Sequence, residues 1–204
     1  MLFFSSILKE FVPSCLQGGL HCVEDTGCQV CHSPTVSVNF SRSIRIYYFK
    51  YNPTNVPICA DDVINVDILG QSLTPGQKPS AETLLHCQLY RNFPPVGAVL
   101  HGHSVAATVL SMLGPIRFSG YEILKAFGFA THDMDVDLPV YENDQDIGRL
   151  AAKIDPLLLA DPPIGYVISG HGVYAWGSSV EHAFWRLEAL EFLLNCELER
   201  RRLT

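Results

Sequence analysis

Two histidines separated by one residue follow a short apolar run near the middle of the chain. His101 and His103 end the stretch GAVLHGH, and Ser104 then opens a run of small residues. Because alternate side chains of an extended strand point to the same side, an H-x-H pair on a strand directs both imidazoles towards one point. That geometry suits a divalent metal such as zinc. The tripeptide alone leaves open whether the rings are metal ligands or ordinary residues at a strand edge.

A third histidine, His171, lies between two glycines in SGHGVYAWG, directly after another apolar run. Three histidines from strand ends would make a zinc site with one position open for a substrate. Two carboxylates, Glu82 and Glu122, fall at the starts of predicted helices that face the same end of the sheet, so they are further candidates for this site. For Glu82 the alternative is a favourable charge in the first turn of a helix. His86 and His132 have no comparable setting and are interpreted as ordinary residues.

The composition is typical of one compact domain with much buried surface. The 204 residues are 48% hydrophobic and 17% charged, with a formal net charge of −7. We therefore expect a single domain over residues 1–204, and the negative charge argues against nucleic acid as a partner. No run approaches the roughly 20 apolar residues of a membrane span. The first residues lack the basic leader of a signal peptide, so we expect a cytoplasmic protein without a membrane partner.

Four of the seven cysteines lie within the first 31 residues. The segment CQVCH (28–32) matches the C-x-x-C-H pattern of haem attachment, but covalent haem belongs to exported proteins and nothing else here indicates export. A zinc knuckle would need two more ligands, and Cys15 and Cys22 are poorly spaced for that role. Free thiols are the favoured interpretation.

The elements that must position the histidines and carboxylates alternate between strands and helices. Ser80, Ser104 and Asp144 are the predicted helix caps. The alternation predicts a layered α/β domain in which helices cover a central sheet. Strands are predicted within 37–51, 61–70, 95–102 and 136–141 and twice within 163–177, and helices over 80–93, 104–113, 120–127, 144–160 and 178–200.

Several ordered blocks in the later part of the chain resemble a known family. From about residue 60 to the end, the chain resembles the class II aldolase/adducin family, and within it the bacterial sugar-phosphate dehydratases of methionine salvage. A chance H-x-H pair would not bring the other blocks along at near-fixed spacing. The blocks are KPSAETLLH (78–86), GAVLHGHSVAATVLS (97–111), GYEILKAF (120–127), NDQDIGRLAA (143–152) and GHGVYAWG (170–177).

The resemblance implies a three-layer α/β/α domain with a central mixed or antiparallel sheet, assembled as a homotetramer with active sites between subunits. It implies one zinc ion held by His101, His103 and His171, and a small-molecule sugar phosphate as substrate. Glu122 matches the acid/base position of the dehydratases, and Glu82 matches the catalytic carboxylate of the sugar-phosphate aldolases. The implied reaction converts 5-methylthioribulose 1-phosphate to the 2,3-diketo-5-methylthiopentyl 1-phosphate. The alternatives are a class II aldolase or epimerase that uses Glu82, and an adducin-like binding protein without catalysis.

Residues 1–59 depart from the family pattern. The dehydratases carry a T-x-S-G-x-x-K-G loop that contacts the substrate phosphate, and no part of this sequence matches it. Asn39 and Ser80 still match phosphate-side positions, so they are the predicted substrate-binding residues. Residues 15–58 are either a divergent segment, in which the part of the site that binds the phosphate end of the substrate is altered, or the product of a wrong reading frame. The abrupt return of family agreement near Asp61 favours the wrong reading frame.

Overall fold

A computed structural model describes residues 35–40, 43–48, 63–160 and 163–204. Within these ranges a seven-stranded sheet forms the centre. Its strands are β1 (Thr35–Phe40), β2 (Ser43–Tyr48), β3 (Val63–Val66), β4 (Ala98–Gly102), β7 (Val140–Tyr141), β8 (Tyr166–Ile168) and β9 (Gly172–Gly177). Their order in the sheet is β3-β2-β1-β4-β9-β8-β7. Neighbouring strands are antiparallel except for β7 and β8, which are parallel, so the sheet is mixed as predicted. A separate antiparallel pair consists of β5 (Ile116–Ser119) and β6 (Asp135–Leu138).

Helices cover both faces of the central sheet. They are α1 (Thr83–Asn92), α2 (Val105–Leu113), α3 (Ile147–Ala160) and α4 (Val180–Leu203), with a 3-10 helix at Glu122–Phe127. Side chains of β4 alternate between two buried clusters: Ala98 and Leu100 pack with residues of α2 and α4, whereas Val99 packs with residues of α1 and α3. Burial of alternate strand residues on opposite faces makes the three-layer α/β/α domain. The predicted fold class is therefore confirmed.

The register of the central strands brings the motif blocks together. His101 on β4 lies directly opposite Tyr174 on β9, and Gly102 lies opposite Val173. Tyr174 in turn lies opposite Tyr166 on β8. The turn that joins β8 to β9 contains His171, so this pairing places His171 beside the end of β4.

The predicted strand over 136–141 is wrong in its extent. The structure divides it at Pro139 into β6, which pairs with β5, and β7, which pairs with β8 in the central sheet. Proline has no backbone N–H to donate to a ladder, so a strand that reaches it readily ends or changes partner. The partner strand β5 was not predicted, because an alternation of apolar and polar residues over only four positions is too short to identify a strand.

Two of the predicted helix caps are wrong, and one is confirmed. The side chain of Ser104 accepts a hydrogen bond from the Ala107 backbone N–H, as an N-cap does. Ser80 instead forms a turn before α1, in which its hydroxyl accepts from the Glu82 N–H. At α3 the carboxylate of Asp146 accepts from the backbone N–H of Arg149, whereas Asp144 lies two residues earlier and accepts from the Asp146 N–H. In both cases the observed N-cap residue, Glu82 or Asp146, lies two positions after the predicted one, and sequence pattern alone does not separate two polar residues that close together.

The cysteine prediction can be followed at only two positions. Cys87 and Cys196 are free thiols. The other five cysteines, which include both cysteines of the C-x-x-C-H segment, lie outside the described residues.

Among the described residues, no helix combines the length and apolar character needed to cross a bilayer. The longest, α4, has 24 residues and carries charges throughout.

Candidate metal centre

Four side chains that could bind a metal ion meet at one end of the central sheet. Glu82, His101, His103 and His171 each offer one ligand atom, and these atoms all lie within 4.8 Å of one another. The Nε2 atoms of His101 and His103 are 2.8 Å apart, and Nε2 of His171 is 3.4 Å from Oε1 of Glu82. Imidazole nitrogens and carboxylate oxygens are ligands that zinc and similar divalent ions take in proteins. The structure thus brings the three predicted histidines together with one of the two predicted carboxylates.

The backbone between the histidines has no room for a side chain at Gly172. A Cβ atom there would lie 2.6 Å from Cδ2 of His103 and 2.8 Å from Cε1 of His101, and it would also collide with the carbonyl oxygen of Gly102. Gly170, at the turn before β9, has a φ of +66°, a conformation that L side chains rarely adopt. These two glycines let the β8–β9 turn approach the end of β4 closely enough for His171 to join the cluster.

His101 is fully buried and held in one tautomer by a backbone acceptor. Its Nδ1–H donates to the carbonyl oxygen of Val173 at 3.0 Å, which leaves the Nε2 lone pair directed into the cluster. Burial, followed by the electrostatic effect of His103, holds the pKa of His101 well below its usual range. A neutral imidazole is the form that binds a metal.

Glu82 faces the three histidines as an ionised carboxylate. The hydrogen bond with His171 is the largest of the effects that lower its pKa to about 2, and burial partly opposes them. The hydroxyl of Ser80 donates to Oε2 at 2.9 Å, which also stabilises the charged form. Glu82 is the N-cap residue of α1, so its negative charge lies at the positive end of that helix. Glu82 is thus both the negative charge expected at the start of a helix and one of the four clustered side chains.

Glu122 is not among the four clustered side chains. It begins the 3-10 helix, and its side chain is 68% exposed. Nζ of Lys125 lies 2.5 Å from Oε1, and Nδ1 of His132 lies 3.4 Å from Oε2. The hydrogen bond from Lys125 is the main cause that lowers the pKa of Glu122.

Two neighbours of Glu122 were missed by sequence reasoning. Lys125 follows it by three residues, a spacing that places two side chains on one face of a helix and could have been noticed. His132 was interpreted as an ordinary residue, and it approaches Glu122 only because the chain folds back after the 3-10 helix. No local pattern encodes that return.

A groove of about 1450 Å³ opens beside the cluster. His103 and His171 form part of its wall, and Ile123 and Ala126 bring the 3-10 helix of Glu122 to the same groove. The remaining wall comes mainly from apolar side chains of α2 and α4, among them Val105, Val109, Phe184, Trp185, Leu187 and Phe192. The groove therefore connects the candidate metal ligands with the helix that carries Glu122.

The two predicted substrate-binding residues have different outcomes. Ser80 lies beside the cluster, where it contacts Glu82 as described above. Asn39 belongs to β1 and lies opposite Ile44 of β2, but its side chain falls outside the described part of the structure. That Ser80 and Asn39 bind the phosphate of the substrate therefore stays a prediction.

Residues 35–198 match the family model described as the class II aldolase and adducin N-terminal domain. The match begins at residue 35, earlier than the resemblance expected from about residue 60, and it includes β1 and β2. Of residues 1–59, which were expected to depart from the family, only residues 1–34 therefore lie outside the match.

Curated relatives share more than half of their aligned residues with this chain. A methylthioribulose-1-phosphate dehydratase from Granulibacter bethesdensis is 60% identical over 150 residues, which cover 70% of each chain. The enzyme of that name from Acidiphilium cryptum is 61% identical over 148 residues, covering 71% of this chain and 70% of the relative. The one from Gluconacetobacter diazotrophicus is 52% identical over 176 residues, covering 83% and 85%.

Solved structures with more distant sequences share the fold. An L-fuculose 1-phosphate aldolase superposes with a TM-score of 0.65 at 20% identity, over 84% of this chain and 77% of the aldolase. The L-fuculose-1-phosphate aldolase of Thermus thermophilus gives a TM-score of 0.63 at 19% identity, over 84% of both chains. At these identities the likeness concerns the architecture alone.

Proposed function

Because this chain belongs to the class II aldolase and adducin N-terminal domain family, we propose that its metal centre dehydrates 5-methylthioribulose 1-phosphate. The product is the 2,3-diketo-5-methylthiopentyl 1-phosphate, an intermediate of methionine salvage. The observation that carries the proposal is the meeting of His101, His103, His171 and Glu82 in a chain so similar to curated dehydratases. A binding protein without catalysis has no need for such a cluster.

Zinc is the proposed ion, held by His101, His103 and His171. The donors fit it because His101 is neutral, with its Nδ1 bound to Val173, and because an ionised carboxylate stands beside the imidazoles. A bound zinc ion supplies a Lewis acid that polarises the C2 carbonyl of the ketose, which is worth several kcal/mol.

Glu122 is the proposed base that removes the proton from C3 of the substrate. Its carboxylate is ionised beside Lys125, so it can accept a proton at neutral pH. The same group, once protonated, can return that proton to the C4 hydroxyl as the C4–O bond breaks, which releases water and leaves an enol that becomes the diketone. A positioned acid/base of this kind contributes about 10²- to 10⁴-fold.

A class II aldolase or epimerase remains a second candidate, because Glu82 lies inside the cluster and Glu122 does not. In that reaction Glu82 would be the main carboxylate, and the C3–C4 bond of a sugar phosphate would break. A retro-aldol assay with fuculose and ribulose phosphates separates the two functions, because cleavage yields dihydroxyacetone phosphate or its partner aldehyde and dehydration does not.

We also propose a homotetramer in which a second copy covers the groove. The support is an exposed apolar surface on α2 and α4: Val105 is 72% exposed, Met112 69% and Trp185 66%. Apolar patches of this kind commonly mark interaction sites. Light scattering on purified protein should give four chains, and Trp185→Glu should give smaller species. Leu157→Glu, at an exposed position of α3, is the matched control and should leave the assembly intact.

The catalytic proposal is tested by metal analysis together with a product assay. Purified protein should contain about one zinc per chain and form the diketone from methylthioribulose 1-phosphate. His103→Ala should lose both metal and turnover, whereas His182→Ala, at a half-buried histidine of α4 that contacts Ser178, should keep both. Turnover retained in His103→Ala would contradict the proposal. A folded protein free of metal after growth with zinc would favour the adducin-like binding function.

A further inference from the structure

Three rings stack across neighbouring strands behind the metal centre. The imidazole of His101 stacks on the ring of Tyr174 with centroids 4.1 Å apart and planes 21° from parallel. Tyr174 stacks in turn on Tyr166, at 4.7 Å and 20°. The order follows from the register, because Tyr174 on β9 is the cross-strand partner of both other residues. Directly opposed side chains on one sheet face are the pairs that interact most strongly.

We propose that Tyr174 is a positioning residue of the metal centre, whose ring fixes the plane of the His101 imidazole so that Nε2 faces the ion. The proposal rests on the metal site of the proposed function. The hydrogen bond to the Val173 carbonyl fixes one atom of the imidazole, Nδ1, but a single bond leaves the ring free to tilt about it. A flat contact over the whole ring removes that freedom.

The ring of Tyr174, and not its hydroxyl, carries this role. The hydroxyl oxygen is buried and has no hydrogen-bond partner within the described residues. Burial also raises the pKa of Tyr174 well above its usual value, so the phenol stays neutral and is a poor metal ligand. A buried hydroxyl without a partner makes the folded state less stable, so the hydroxyl is not the reason for having a tyrosine at position 174.

The stack has rigid backing. His86 contacts the edge of the Tyr174 ring, with centroids 5.6 Å apart, and is held by the Ser37 hydroxyl at 2.8 Å. On the far side, Tyr166 meets the rings of Tyr141 and Trp176. Tyr174 is therefore enclosed on its other face and along its edge, so that the orientation of His101 is set by the packed sheet.

The test compares metal affinity in two matched variants. Tyr174→Met removes the ring that stacks on His101 and keeps most of the side-chain volume. Tyr166→Met makes the same change one strand further away, at a ring that stacks on Tyr174 and not on His101. Affinity for Zn²⁺ is measured by competition with a chromophoric chelator, and site geometry by the visible spectrum of the Co²⁺-loaded protein. We expect Tyr174→Met to bind Zn²⁺ about 10- to 100-fold more weakly, with an altered Co²⁺ spectrum. Tyr166→Met removes only the ring behind Tyr174, so it should lose stability to urea but lose much less Zn²⁺ affinity than Tyr174→Met and change the Co²⁺ spectrum less.

Equal Zn²⁺ affinities in wild type and Tyr174→Met would overturn the proposal, as would equal losses in the two variants. If Tyr174→Met fails to fold, Tyr174→Phe decides, because it keeps the ring and removes only the unpartnered hydroxyl. It should bind Zn²⁺ as tightly as wild type, and a tenfold loss would show that the hydroxyl matters and the proposal is wrong. Failure of the proposed function appears differently, as wild-type protein that binds Zn²⁺ and forms no diketone, or that binds no metal at all.

Discussion

Oε1 of Glu82 lies 3.4 Å from Nε2 of His171, although the two residues belong to different layers of the domain. Glu82 stands at the start of α1 on one face of the sheet, and His171 lies in the turn between β8 and β9. The contact gives the group of imidazoles a negative neighbour that can balance part of a cation's charge. It also makes Glu82 the carboxylate nearest to the proposed ion among the described residues.

Glu82→Gln should weaken Zn²⁺ binding by about tenfold, because it replaces an ionised carboxylate beside the imidazoles with a neutral amide. Chelator competition measures this loss. Ser80→Ala is the control, since it removes the hydrogen bond to Oε2 and leaves the charge in place, and it should cost less affinity. An unchanged affinity in Glu82→Gln would restrict Glu82 to the role of a charge at the helix start.

Lys125→Met should move the acid limb of the kcat/KM profile to higher pH. Lys125 is the main cause of the lowered pKa of Glu122, so its removal lets that pKa rise. A base must be deprotonated to act, so the variant should lose activity at a pH where wild type is still active. The pH profile of diketone formation shows the shift. An acid limb that moves in Glu122→Asp but not in Lys125→Met would argue against Lys125 as the group that sets it.

Gly172→Ala should disrupt the metal centre. The added Cβ would meet the rings of His101 and His103 at 2.8 and 2.6 Å, so at least one ring must leave its position. We expect loss of tight Zn²⁺ binding, measured by metal content after dialysis. Gly102→Ala is the matched control on β4, because its nearest contact would be Leu187 at 4.0 Å, an ordinary van der Waals distance. Normal metal content in Gly172→Ala would contradict the close packing described here.

His86 should make the folded state less stable as the pH falls. Burial lowers its pKa to about 4 in the folded chain, whereas an unfolded histidine titrates near 6.5. Between these values the unfolded chain binds more protons, so the free energy of unfolding decreases from pH 6.5 towards pH 4. The stability advantage of metal-free wild type over His86→Gln should therefore shrink by about 2 kcal/mol between pH 7 and pH 5. Urea unfolding at both pH values tests this, and a constant difference would show that His86 is not titrating as stated.

The DNA that encodes residues 15–58 should contain the missing phosphate loop in another reading frame. The reason is that no T-x-S-G-x-x-K-G match occurs in the chain although residues 35–198 match the family. Because that match includes β1 and β2, a wrong frame would have to lie before residue 35 or between β2 and β3. Translation of all three frames is the measurement. If S-G-x-x-K-G is absent from every frame, the explanation that remains is a divergent segment at the phosphate end of the substrate site.

The family and the layered fold could be predicted from sequence because both depend on local information. The blocks around His101 and His171 have types and spacings that resemble one family, and the family match confirms that resemblance. Strand and helix periods are likewise local, so β4 and α2 were found with the Ser104 cap. Predictions became wrong where elements choose partners, as at Pro139, where one apparent strand divides between two sheets.

Glu122 shows a second limit of sequence reasoning. Its block predicted a helix start and an acid/base role, and the structure shows a 3-10 helix with an exposed Glu122 beside Lys125 and His132. The contact with His132 depends on the path of the loop after Gly128, which no periodicity encodes. The catalytic role of Glu122 stays a prediction.

The sequence by itself determined which donor atoms this protein has and which ends of which strands carry them, because side-chain alternation and turn chemistry act over a few residues. Only the tertiary structure decided that Glu82 meets His171 and that Tyr174 covers the face of His101. Those contacts follow from strand order and register, which arise when both faces of the sheet are buried under helices at once. Residues far apart along the chain become neighbours only through that packing.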